Sequence, residues 1–213
     1  MIRILGSDNA RDDRGSLQQP LNSVVHPVKI EGDTYNLHDT VGLGAHNDAA
    51  KAMRKLYRLL DDLSNAGGIN LLIYVVKCDK RPVETMRKTY SLIHHGFCDS
   101  KVPIVIVATG CENMEPTMDQ WWTDHKAPFK AAGMSFEGHA CVCTIQGTKT
   151  GDGGYRFQDL VEKSESEVTE LILRHCNPNG WKKVSTVSTI PEALNLLKYF
   201  PLRNRLTRRN PTW

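Results

Sequence analysis

The chain has 213 residues, 40% hydrophobic and 24% charged, which fits one globular domain with added segments and excludes both two full domains and disorder throughout. Its net charge of +3 hides an asymmetry. Residues 193–213 carry Lys198, Arg203, Arg205, Arg208 and Arg209 and no acid, leaving 22 bases against 24 acids, or −2, in residues 1–192.

The six cysteines, Cys78, Cys98, Cys111, Cys141, Cys143 and Cys176, lack the dense spacing of a secreted disulfide framework. No apolar run approaches the roughly 18 to 20 residues of a membrane span, and Met1 to Ala10 contains no apolar signal-peptide core. Reduced thiols in a cytoplasmic protein without a transmembrane segment are therefore expected.

From residue 24 onward, strand-like runs alternate with helical periods, the pattern of an α/β fold on a mostly parallel sheet. Val24 to Ile30 and Tyr35 to His38 flank Glu31, Gly32 and Asp33 as a hairpin. Pro27 puts the first of these strands at a sheet edge, because it cannot donate a ladder hydrogen bond. Met53, Leu56, Leu59, Leu60 and Leu63 recur at helical spacing and predict a helix closing at Gly67 and Gly68. Ile69 to Val76 follows as a continuous apolar strand, expected where both sheet faces are covered.

Residues 82–97 predict a helix opened by Pro82, with His94 and His95 on its surface. Val102 to Ala108 is a second buried strand. Asp119 to Ala132 predicts a helix breaking at Pro128, with one of Trp121 and Trp122 in the core and the other partly exposed. His139 to Ile145 predicts a last strand, with Cys141 and Cys143 as core thiols on one face and Val142 on the other. A Gly-rich loop, Gly147 to Gly154, leads to a helix from about Phe157 to His175. Pro191 opens a short helix before the basic tail.

Ligands of open α/β sheets sit beyond the carboxyl ends of the strands, which directs attention to the loops that follow them. Asp39-Thr40-Val41-Gly42 follows the hairpin; a carboxylate there can hold a metal-bound water, and a glycine can bring its bare N–H to a phosphate. On those four positions alone, an ordinary turn is the commoner reading. Thr109-Gly110-Cys111-Glu112-Asn113 follows the second buried strand. A carboxylate there accepts both the ring N–H and the exocyclic amine of guanine, a donor pair that adenine lacks on that edge. For a single glutamate, the plain alternative is a solvated loop acid. Lys77-Cys78-Asp79 imitates part of a guanine-recognition motif but lies one helix and one strand too early.

With YNLHDTVGL, VPIVIVATGCEN, the Asp119-Gln120-Trp121-Trp122 segment and Gly138-His139-Ala140-Cys141, the chain resembles the P-loop GTPase domain over about Ile2 to Cys176. In particular it looks like fungal G-domain proteins of the septin and immunity-associated branch, in which the guanine motif is often T-G-x-E. The resemblance implies a three-layer G domain with a mostly parallel sheet. It also implies GTP or GDP with Mg2+ as ligands, Asp39 and Ser16 at magnesium, Gly42 at the terminal phosphate, and Thr109, Glu112 and Thr144 around guanine. Gly110 stands where N-K-x-D proteins have the lysine that packs on the base.

No G-x-x-x-x-G-K-S/T segment occurs in the 213 residues. Met1 to Asp8 reads like the last turn of the helix that follows such a cradle. The expectation is thus a G domain over 1–176 lacking its first strand and phosphate loop, followed by a linker, short helix and basic tail over 177–213. Loss of the cradle removes charge-assisted hydrogen bonds worth about 1.5 to 3 kcal/mol each, so GTP binding is expected to be feeble and hydrolysis negligible. Two other readings are a GTPase-like interaction module with a protein partner, and a basic tail contacting anionic lipid or nucleic acid.

Overall fold

The computed structural model describes residues 24–40, 49–78, 83–151 and 153–184. The chain divides into two compact units, 1–183 and 184–213. The helix expected from Pro191 and the basic tail fall outside the described residues, as do Ser16, Gly42, Asp79 and Pro82.

Strands β1 (Val24–Ile30) and β2 (Asp33–Asp39) pair antiparallel from Ile30↔Asp33 to Val24↔Asp39. The turn is Glu31-Gly32 alone, one residue tighter than the sequence suggests. Both residues have positive φ, 50° and 94°, so the turn twists with the strands. Period-two alternation then sends His26, Val28 and Ile30 inward.

Helix α1 (Ala49–Ala66) buries Ala52, Met53, Leu60 and Ser64 along one stripe. It ends where the Gly67 and Gly68 N–H groups both donate to the Leu63 carbonyl, with Gly68 at φ 102°. Strand β3 (Leu72–Lys77) starts three residues later than the apolar run implies. Ile69 instead forms an isolated antiparallel bridge with Trp181.

Helix α2 (Val83–Tyr90) passes directly into a π-helical segment, Ser91–Phe97. The wider π turn brings Leu92 and Phe97, five apart, to one face and buries His94, which the sequence placed on the surface. His94 Nε2 lies 3.1 Å from the Val102 carbonyl oxygen. His95 remains exposed and meets the Ser100 hydroxyl at 2.7 Å.

Strand β4 (Ile104–Thr109) pairs parallel with β3 on one side and with β5 (Gly138–Val142) on the other. Between β4 and β5, α3 (Gln120–Ala131) runs through Pro128 without the expected break. Proline removes only its own donor there, its carbonyl still accepts the Ala132 N–H at 3.0 Å, and neighbouring Phe129 is fully buried. Trp121 is buried and Trp122 half-buried, as their adjacency on a helix requires.

Helix α4 (Gln158–His175) closes the body. Its Val168, Leu171 and Ile172 pack with Val105 and Val107 of β4, Ala140 and Val142 of β5, and Val28 and Ile30 of the hairpin. The opposite sheet face carries Ile104, Ile106, Ala108, Cys141 and Cys143 against Met86, Tyr90, Trp121 and Phe129. The protein is therefore α/β, with a three-stranded parallel sheet in the order β3-β4-β5 flanked by helices.

Covering of both sheet faces holds for β4, whose five residues from Ile104 to Ala108 are all buried. It does not hold for β3, where Val75 is 48% exposed. Among the described residues β3 has a ladder with β4 alone, and the hairpin forms a separate two-stranded sheet. No described helix is long and apolar enough to cross a membrane.

Candidate functional site

The segment after β4 is held from both sides. Toward β3, the Thr109 hydroxyl donates to the Val76 carbonyl at 3.1 Å and the Cys78 N–H donates to the Thr109 carbonyl at 2.7 Å. Toward β5, the N–H groups of Gly110 and Cys111 both donate to the Val142 carbonyl, at 3.0 and 3.1 Å. Gly110 takes φ 79°, the left-handed conformation that lets two successive N–H groups face one acceptor.

Met114 N–H then donates to the Cys111 carbonyl, which makes Cys111 to Met114 a tight turn with Glu112 and Asn113 at its tip. The turn leaves Glu112 half-buried, and its Oε2 is fully buried without a hydrogen-bond partner. An unpartnered acceptor of this kind costs about 1 to 3 kcal/mol, more if charged. A ligand donor arriving there would remove that cost.

The flank toward β5 is equally specific. Cys143 N–H donates to the Ser164 hydroxyl at 2.9 Å, and that hydroxyl donates onward to the Leu160 carbonyl. Ser164 is completely buried on α4, so this bridge pins the end of β5 beneath the loop. Burial raises the Cys143 thiol pKa, a hydrogen bond with the Ile145 backbone counters this, and the nearby Glu112 charge adds to the rise. Thr144 follows directly and is exposed.

Thr109, Glu112 and Thr144 thus belong to two adjacent loops at the carboxyl ends of neighbouring strands. Thr109 differs from its expected role in one respect: its hydroxyl hydrogen is engaged by β3. Asp39 stands exposed at the carboxyl end of β2, in the other sheet. No group of three His, Cys, Asp or Glu among the described residues has the arrangement of a metal site.

Two features of this region were not singled out from the sequence. Ser164 falls in register with Leu160, Val161, Val168, Leu171 and Ile172, and a hydroxyl on an apolar helix stripe is a readable sign of a buried bridge. The gathering of Cys78, Cys111 and Cys141 in one core layer carries no local signal, since the first two follow β3 and β4 and the third lies within β5.

The fold and these loops define an α/β protein with a candidate binding site at the carboxyl edge of its parallel sheet. Compared with models of known protein families and with curated proteins, the chain matches none.

Proposed function

We propose that this chain is a guanine-nucleotide-binding domain of the P-loop GTPase kind, in which the loop after β4 reads the base. The observation that carries this reading is the buried, unpartnered Oε2 of Glu112 at the tip of that loop. A carboxylate there accepts the ring N–H and the exocyclic amine of guanine together, and adenine offers no such pair on that edge. Thr109 and Thr144 border the same edge of the sheet.

Asp39, exposed at the carboxyl end of β2, is the described part of the proposed magnesium site, where its carboxylate would hold a metal-bound water. The proposed phosphate and magnesium contacts of Gly42 and Ser16 lie outside the described residues. No phosphate-cradle motif occurs in the sequence, so binding is expected to be weak and to come mainly from the base.

Thermal unfolding with GDP, GTP, ADP or ATP plus magnesium tests the reading. Guanine nucleotides at high concentration should raise the melting temperature, adenine nucleotides should not, and Glu112→Gln should remove the difference. Equal responses to the two bases would refute it.

A further inference from the structure

Three thiols converge beneath the candidate site. Cys111 packs in one core layer with Cys141 and Cys78, and its S–H donates to the Ala108 carbonyl oxygen at 3.5 Å. Backbone geometry enforces the gathering. Ala108 is the register partner of Cys141, the Cys111 N–H is held by Val142 of the same strand, and the Cys78 N–H is held by Thr109. All three side chains pack in one core layer, yet their access to solvent differs. Cys111 and Cys141 are fully buried, whereas Cys78 is half-buried at the end of β3.

We propose that Cys78 and Cys111 are a hydroperoxide-oxidisable pair forming a reversible disulfide that ties the loop after β3 to the loop after β4. Cys78 reacts first because it alone of the three meets solvent. Hydrogen bonding to Cys141, burial and the neighbouring Cys78 hold Cys111 protonated well above its ordinary range, so it is a poor first target and attacks slowly, only as its proton passes to the oxygen leaving Cys78.

In the first step the Cys78 sulfur attacks the terminal oxygen of the hydroperoxide. An S–O bond forms as the O–O bond breaks, the thiol proton of Cys78 goes to the departing oxygen so that an alcohol leaves, or water in the case of hydrogen peroxide, and Cys78 becomes a sulfenic acid. In the second step the Cys111 sulfur attacks that sulfur. The S–O bond breaks, the S–S bond forms, and the departing hydroxide takes the Cys111 proton as water. Two thiols lose two electrons and the hydroperoxide gains them. Cys141 is not the partner, because its backbone is held inside the β5 ladder, while Cys78 and Cys111 both lie just past strand ends. The bond would lie next to Glu112, yet it stands independently of the guanine reading.

The full chain is treated with hydrogen peroxide, unfolded, alkylated with iodoacetamide and mapped by mass spectrometry. The expected product is a linked peptide bearing Cys78 and Cys111, two hydrogens lighter than its reduced parts and released by dithiothreitol. Cys78→Ser should abolish the link and leave Cys111 fully alkylated, and Cys141→Ser should retain it. Circular dichroism confirms that each variant is folded. A Cys111 to Cys141 link, oxidation of Cys78 with Cys111 still alkylated, or no link at all would each overturn the proposal.

Discussion

Ile69 and Trp181 exchange two backbone hydrogen bonds of 2.9 Å, joining the segment before β3 to the chain that follows α4. The Trp181 ring meets Phe97 edge-on at 6.2 Å, within the cluster of Leu60, Ile69, Cys98 and Val102. Residues 177–183, which follow α4, are therefore structural to the body. Trp181→Ala keeps the backbone bonds and removes the ring, so unfolding by urea should show a loss of about 2 kcal/mol, below the cost of truncating a fully buried tryptophan.

The same junction depends on two glycines. A Cβ on Gly68 would come within 2.8 Å of the Gly180 carbonyl carbon and 2.9 Å of the Trp181 carbonyl oxygen, and Gly68 also has φ 102°. Both obstacles are backbone, and neither yields without shifting the bridge. Gly68→Ala should cost about 2 kcal/mol or more, against the few tenths a neutral loop substitution shows. A melting temperature unchanged from the parent would count against this packing.

Ser164→Ala should leave the Cys143 N–H buried and unpaired. A loss of about 1 to 3 kcal/mol follows from that orphaned donor. Ser164→Thr retains the hydroxyl and should lose less if the added methyl finds room. Hydrogen exchange read at the Cys143 amide provides the local check, because its protection should fall most in the alanine variant.

Glu112→Gln carries opposite expectations for stability and binding. An amide is cheaper to bury than a carboxylate lacking a partner for Oε2, so the unliganded variant should be more stable by about 1 kcal/mol. Guanine preference should disappear in the same variant. Calorimetric melting with and without GDP measures both effects, and a destabilised variant would show that Oε2 is satisfied in the folded chain.

Acid should destabilise the fold through its histidines. Burial lowers the pKa of His38, His94 and His139 below the ordinary 6.5; for His94 the neighbouring His95 acts in the same direction, while the Val102 carbonyl and Glu137 oppose it. For His139, Asp119 opposes the shift and Lys126 adds to it. Below 6.5 the unfolded chain then binds more protons than the folded one, so stability present above that pH is lost as pH falls through the lowered values. Urea midpoints should be lower at about pH 5.5 than at about pH 7.5. His94→Gln should flatten part of the dependence.

Period and turn chemistry made most elements readable in advance. The Glu31-Gly32-Asp33 turn signal between two strand-like runs specifies the hairpin, though its turn closes one residue tighter, and the three-four spacing from Met53 to Leu63 specifies α1. The same-face pairing of Cys141 and Cys143 opposite Val142 follows from strand geometry and was borne out. The expected break at Pro128 failed because one absent donor is offset when the following residue, Phe129, is anchored in the core. His94 was misplaced because the π turn changes which residues share a face, and no residue in SLIHHGF announces that change.

Local patterns settle which residues become strands and helices, because backbone sterics and side-chain periodicity act over a few positions. They also place Thr109, Glu112 and Thr144 in loops after strands. Long-range contacts decide the rest. The buried Oε2 of Glu112, the Ser164 bridge, the return of Trp181 to Ile69 and the meeting of three thiols each join residues distant in sequence. Their energies depend on what packing brings within a few ångströms, a quantity that exists only once the sheet and its helices have closed on one another.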